Sequence, residues 1–119
     1  MYARDNVAGA SDLQQRVPGG PQVQAAREML SMLADPTRLR LMALLSEGEY
    51  DVTALVGAVG SARPAVSQHL GKLRLAGLVS MRREGRRALY RARGGHVRRL
   101  VTEVLHAASH RVTGAPEHD

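Results

Sequence analysis

The spacing of apolar residues changes abruptly at Gly77, and that switch limits the folds open to this chain. Before it, apolar residues recur every three or four positions, as on one face of a helix. After it, Leu78-Val79-Ser80-Met81-Arg82-Arg83 and Arg87-Ala88-Leu89-Tyr90-Arg91 read as strands, with Glu84-Gly85-Arg86 as the turn of a hairpin. Past Gly94-Gly95 the helical period returns, from about His96 to Val112.

Upstream of the switch, punctuation divides the helical part. Met1 to Gln22 is polar and broken by Val17-Pro18-Gly19-Gly20-Pro21, which predicts a mobile arm over 1–22. A first helix follows from Gln24, carrying Ala25, Met29, Met32 and Leu33, and stops at Asp35-Pro36. Asp35 suits an N-cap and Pro36 the first helical position, so a second helix runs to about Ser46, apolar on most sides. Asp51 or Thr53 opens a short helix to about Val59, Gly60-Ser61 turns the chain, and a fourth helix runs from Arg63 to Gly77. Two short helices joined by a tight turn and followed by a basic hairpin make a winged helix-turn-helix, mainly α, within one domain over 23–112. Residues 113–119 are expected to form a loose tail.

Composition supports helix-on-helix packing, because three Tyr are the sole aromatics and the core must be built from Leu, Val, Ala and Met. The chain has no cysteine, which excludes disulfides, thiolate metal sites and thiol chemistry. It shows no phosphate-cradling glycine loop, nucleophile elbow or paired carboxylates, so an enzyme is not expected. No apolar run could cross a bilayer and residues 1–21 lack a signal-peptide core, which together predict a cytoplasmic protein.

The formal charge is +6, and Lys72 is the only lysine among 17 basic residues. Arginine forks phosphates and guanine edges, so its placement matters more than its number. On the fourth helix, Val66, Leu70 and Leu73 make the buried stripe. The opposite side offers Ser67 and Gln68 to base edges, with Lys72 beside them, while Arg63 sits at the helix start where a phosphate is favoured. Arg82, Arg83, Arg86 and Arg87 then crowd one hairpin, and such a cluster repels itself unless an anion neutralises it. Double-stranded DNA is the expected partner.

At this point three segments resemble the ArsR/SmtB family of repressors: Met32-Leu33-Ala34-Asp35-Pro36-Thr37-Arg38-Leu39-Arg40-Leu41, Ala65-Val66-Ser67-Gln68-His69-Leu70-Gly71-Lys72-Leu73, and Ala76-Gly77-Leu78-Val79 with Arg82-Arg83-Glu84-Gly85-Arg86 and Tyr90. The resemblance spans about residues 24–112. It implies a homodimer formed through the first and last helices, a partly palindromic operator, and repression relieved by an effector, usually a metal ion. Within the match, His69 falls on the recognition helix and is assigned to the DNA side.

Four of the five histidines, His96, His106, His110 and His118, lie in the last quarter of the chain. At about 100° per residue, His96, Glu103 and His110 form one line beside the apolar stripe of the last helix. His96 and His110 are roughly 21 Å apart along that helix. One ion with bonds near ~2.1 Å cannot join them within a chain, but can across an antiparallel pair. The segment also resembles the mycobacterial-type nickel and cobalt repressors, which implies His96, His110 and His118 as ligands, with Glu117 and Asp119 adding oxygen donors; Glu103 and His106 are the donors from which a departed site could be rebuilt. Imidazole and carboxylate without thiolate favour Ni(II) or Co(II), then Zn(II). Two alternatives stay open: a repressor of the same type without a metal, and a basic protein-interaction module.

Overall fold

The computed structural model describes residues 9–114. In chain order these form α1 (Ala10–Arg16), α2 (Gly20–Leu33), α3 (Pro36–Leu45), β1 (Tyr50–Asp51), α4 (Val52–Val59), α5 (Arg63–Leu75), β2 (Val79–Glu84), β3 (Arg87–Ala92) and α6 (Gly95–Thr113). His118 and the tail ligands implied with it lie outside the described residues.

Each helix boundary has a local cause. Asp35 accepts a hydrogen bond from the Arg38 amide at 2.9 Å and caps α3, with Pro36 in the first turn. Asp51 does the same for α4 through the Ala54 amide, also at 2.9 Å. At the end of α5 the chain reverses through Gly77 at φ +79°, with Leu78 N–H bonded to the Leu73 carbonyl and Gly77 N–H to that of Arg74. This Schellman turn buries Leu78 and delivers the chain directly into β2.

The core is assembled from one face of each helix and one face of the sheet. Leu41, Met42 and Leu45 of α3 are fully buried and meet Leu70 and Leu73 of α5 and Val101 of α6 in one cluster. α3 therefore sits at the centre, as its apolar sequence predicts.

Two expectations need correcting. The segment read as a mobile arm contains α1, and α2 begins at Gly20, before the expected Gln24. Pro21 stands in the first turn of α2, where its missing N–H costs nothing, so it starts a helix instead of breaking one. α1 has no buried residue. The hairpin is also part of a three-stranded sheet, order β1-β3-β2, because Tyr50 and Asp51 pair with Tyr90 and Leu89. The turn itself is tight: Glu84 pairs with Arg87, leaving Gly85 and Arg86 between the strands. Gly85 takes φ +61°, the positive angle a II′ hairpin turn needs at its first central residue.

The two capping aspartates and Glu49 tie stability to acid pH. The Arg38 amide holds the Asp35 carboxyl below its ordinary 3.8, the Ala54 amide does so for Asp51, and the Arg82 guanidinium holds Glu49 below 4.5. Depressed carboxyl groups contribute stability that is complete above their unfolded values and lost as pH falls through the folded ones. Thermal melts followed by circular dichroism will show an acid limb below about pH 4. The double substitution Asp35→Asn, Asp51→Asn will flatten that limb, and an unchanged limb would contradict the assignment.

Candidate nucleic-acid interface

The α4–α5 turn sets the first part of the surface. Gly60 closes α4 at φ +72°, a left-handed angle that favours glycine, and α5 restarts at Arg63. Arg63 Nη1 donates to Thr53 Oγ1 at 3.1 Å, so the guanidinium is held between the starts of the two helices. With Val66, Leu70 and Leu73 turned into the core, Ser67, Gln68 and Lys72 face solvent. Gly71 lies on the same exposed side, and a methyl group added there would touch nothing in the protomer. The fold does not require a glycine at that position; close approach of another backbone would.

The wing corrects the expectation that its four arginines wait for an outside anion. Arg82 donates to both carboxylate oxygens of Glu49, at 2.9 and 2.8 Å, and lies 3.0 Å from Glu84. Arg87 bonds Asp51 at 3.1 Å and lies 3.9 Å from Glu84. These bonds raise the Arg82 pKa further and keep Glu49 ionised. Half of the cluster is thus neutralised by the protein's own carboxylates. Among the described residues Arg83 and Arg86 have no ion pair.

Arg63, Arg83, Arg86 and Arg87 line one cleft between the wing and the start of α4, together with Asp51 and Thr53. Two regions apart in sequence, the start of α5 and the wing hairpin, supply these cations. A cleft of this charge beside an exposed helix carrying Ser67 and Gln68 can hold a phosphate backbone while polar side chains meet base edges.

Glu49 and Asp51 are not legible as functional residues in the sequence. Their arginines are 33 and 36 positions away, and no local pattern announces pairing at that range. His69 also departs from its assignment. Its side chain is 22% exposed and points away from the Ser67–Gln68 surface: Nδ1 is 3.4 Å from Arg38 Nη1, and Nε2 is 3.9 Å from Asp35 Oδ2.

The proposed metal donors are spread along α6. His96, Glu103 and His106 are exposed and His110 half-buried, with the His96 ring 3.1 Å from Arg99 Nη2. Among the described residues no three His, Asp or Glu side chains gather closely enough to hold an ion within one protomer. α6 buries only Val97 and Val101, leaving Val104 and Val112 exposed, while α2 exposes Val23 and Leu30. No described helix is long and apolar enough to cross a membrane.

Comparison with known proteins agrees with this geometry. Residues 35–81 match the model of the bacterial regulatory protein, arsR family. The HTH-type transcriptional regulator KmtR of Mycobacterium tuberculosis is 43% identical over 97 residues, covering 82% of this chain and 75% of that one. The HTH-type transcriptional repressor SmtB of the same species is 41% identical over 86 residues, 71% of this chain and 64% of the repressor, just under two thirds of its length. Among solved structures, the homodimeric winged helix-turn-helix DNA-binding domain Mb0332 of Mycobacterium bovis superposes with a TM-score of 0.73 at 32% identity, covering 95% of this chain and all of that one.

Proposed function

The chain belongs to the ArsR family of bacterial regulatory proteins, DNA-binding and not enzymes, and from that premise we propose that it is a homodimeric repressor released from its operator by a metal ion. The observation that carries the DNA half is the cleft of Arg63, Arg83 and Arg86 opening beside the exposed Ser67–Gln68 face of α5. Phosphates seat in the cleft, and α5 reads the major groove. Two copies are needed because α2 and α6 leave apolar side chains uncovered that a second copy of the same helices would bury, and Mb0332 is a homodimer. The protein acts in the cytoplasm, where a bacterial operator lies.

The metal half rests on α6. If two copies of α6 pack antiparallel, His96 of one subunit faces the partner subunit's His110, giving two symmetric sites that each clamp both chains. Glu103 then faces its own copy, and a proton, a cation or Arg99 must relieve the repulsion. These donors suit nickel or cobalt first and zinc second. An ion weakens DNA binding only if it binds the DNA-free shape of the dimer better than the DNA-bound one.

A titration of the dimer on fluorescent DNA from its own promoter, with and without Ni(II), Co(II) and Zn(II), tests both halves. One of these ions will weaken binding about tenfold or more, equivalent to about 1.4 kcal/mol of coupling. His96→Ala with His110→Ala will abolish that response while leaving metal-free affinity intact. A second reading, the same repressor without a metal, is favoured by the engagement of His96 with Arg99. Tight binding indifferent to all three ions would establish it.

A further inference from the structure

The corner between α2 and α3 reaches across to the recognition helix. Arg38 Nε donates to the Met32 carbonyl at 2.7 Å, which pins the guanidinium to the end of α2. The Arg38 amide is held by Asp35 at 2.9 Å. The other arm of the guanidinium, Nη1, lies 3.4 Å from His69 Nδ1, and Asp35 Oδ2 lies 3.9 Å from His69 Nε2. A guanidinium has donors only, so this contact is a hydrogen bond when Nδ1 carries a lone pair. The ring proton then belongs on Nε2, directed at Asp35.

We propose that His69 is a positioning residue which, as a neutral imidazole accepting from Arg38, latches α5 to the α2–α3 corner and sets the angle at which Ser67 and Gln68 meet DNA. The inference rests on α5 being the DNA-reading helix. Ser67 and Gln68 immediately precede His69 and point outward while the imidazole points inward, so a rotation of α5 at this residue moves both. Protonation removes the Nδ1 lone pair and sets an N–H against a cation. Asp35, 3.9 Å from Nε2, then attracts the imidazolium as an ion pair, but on the opposite ring edge and beyond hydrogen-bond distance, so it does not restore the bond to Arg38. Asp35 and Arg38 are the charged groups facing the ring; Lys72 on α5 and Glu28 on α2 line the neighbouring groove with Met32.

The sign distinguishes this latch from general electrostatics. Acidification adds positive charge, which strengthens sequence-independent binding to DNA. Opening the latch weakens operator binding instead. The two trends run in opposite directions, so the ratio of operator to random-duplex affinity isolates the latch.

The test measures that ratio for the full-length dimer, for His69→Gln and for His69→Ala, at about pH 8 and about pH 6. Glutamine keeps an acceptor and a donor but does not titrate. We expect the wild-type ratio to fall about fivefold or more on acidification. The glutamine variant should match the wild-type ratio at the higher pH and hold it at the lower, and the alanine variant should lose it at both. Nitrogen-15 spectra of histidine-labelled, DNA-free dimer at the higher pH should show the Nε2–H tautomer for His69, a readout independent of DNA and of any loosening in the alanine variant. A wild-type ratio unmoved by pH, a glutamine variant that keeps the wild-type pH dependence, or an Nδ1–H tautomer would each overturn the latch. If the wild type itself failed to prefer operator over random duplex, the DNA-reading premise would fall, and the tautomer alone would then judge the contact between the two helices.

Discussion

Gln68→Ala will weaken operator binding about 5- to 150-fold, while binding to a random duplex changes little. The range is that of one bidentate contact to a base edge, about 1–3 kcal/mol. Gln68 is suited to such a contact because it lies on the exposed side of α5, opposite the stripe of Val66, Leu70 and Leu73. An exposed side chain outside the core contributes little to the fold, so the melting temperature should stay at the wild-type value. Anisotropy titrations on operator and random duplexes decide the matter. An equal loss on both would move Gln68 from base reading to backbone contact. The arginine cleft supplies the contrasting control: Arg83→Ala with Arg86→Ala should weaken both duplexes together. The salt dependence should fall by about 0.9 for each phosphate that is no longer neutralised.

Leu70→Ala acts on the same helix by a different route, destabilising the fold by about 2–5 kcal/mol. Leu70 is wholly buried where α5 packs on α3, and alanine there leaves a cavity that a close-packed interior cannot refill. Set against the roughly 5–15 kcal/mol of a typical domain, this loss removes a large part of the total. Denaturant titration will show the midpoint shift. Leu75→Ala, five residues along and 92% exposed, should change stability by no more than about 0.5 kcal/mol. A comparable cost at both leucines would mean that α5 is turned differently about its axis.

The features legible in the sequence are those that depend on near neighbours. Asp35-Pro36 marks a helix start because cap and first turn are three residues apart, and the buried stripe of α5 shows because Val66, Leu70 and Leu73 repeat with the helical period. The wing shows through its alternation and its turn glycine. β1 escapes notice because two residues carry no period, and Pro21 misleads because a proline marks a helix start and a helix stop equally well. The site is legible in its ingredients but not in its arrangement. Arginines at 63, 83 and 86 stand out as candidates, yet nothing local shows that Arg82 and Arg87 are taken by Glu49, Asp51 and Glu84. His69 falls on the wrong side in a local reading for the same reason, since its partner is 31 residues away.

The carboxylates on the wing have a consequence for how a repressor finds its target. Every arginine presented to DNA raises affinity for all sequences alike, and a chromosome offers vastly more wrong sites than right ones. By pairing with Arg82 and Arg87, Glu49 and Asp51 withhold part of the wing's charge from the phosphate backbone. If the wing contacts DNA as proposed, the protein would therefore linger less at each wrong site, and a larger share of its time at the right one would be owed to the few side chains that read bases.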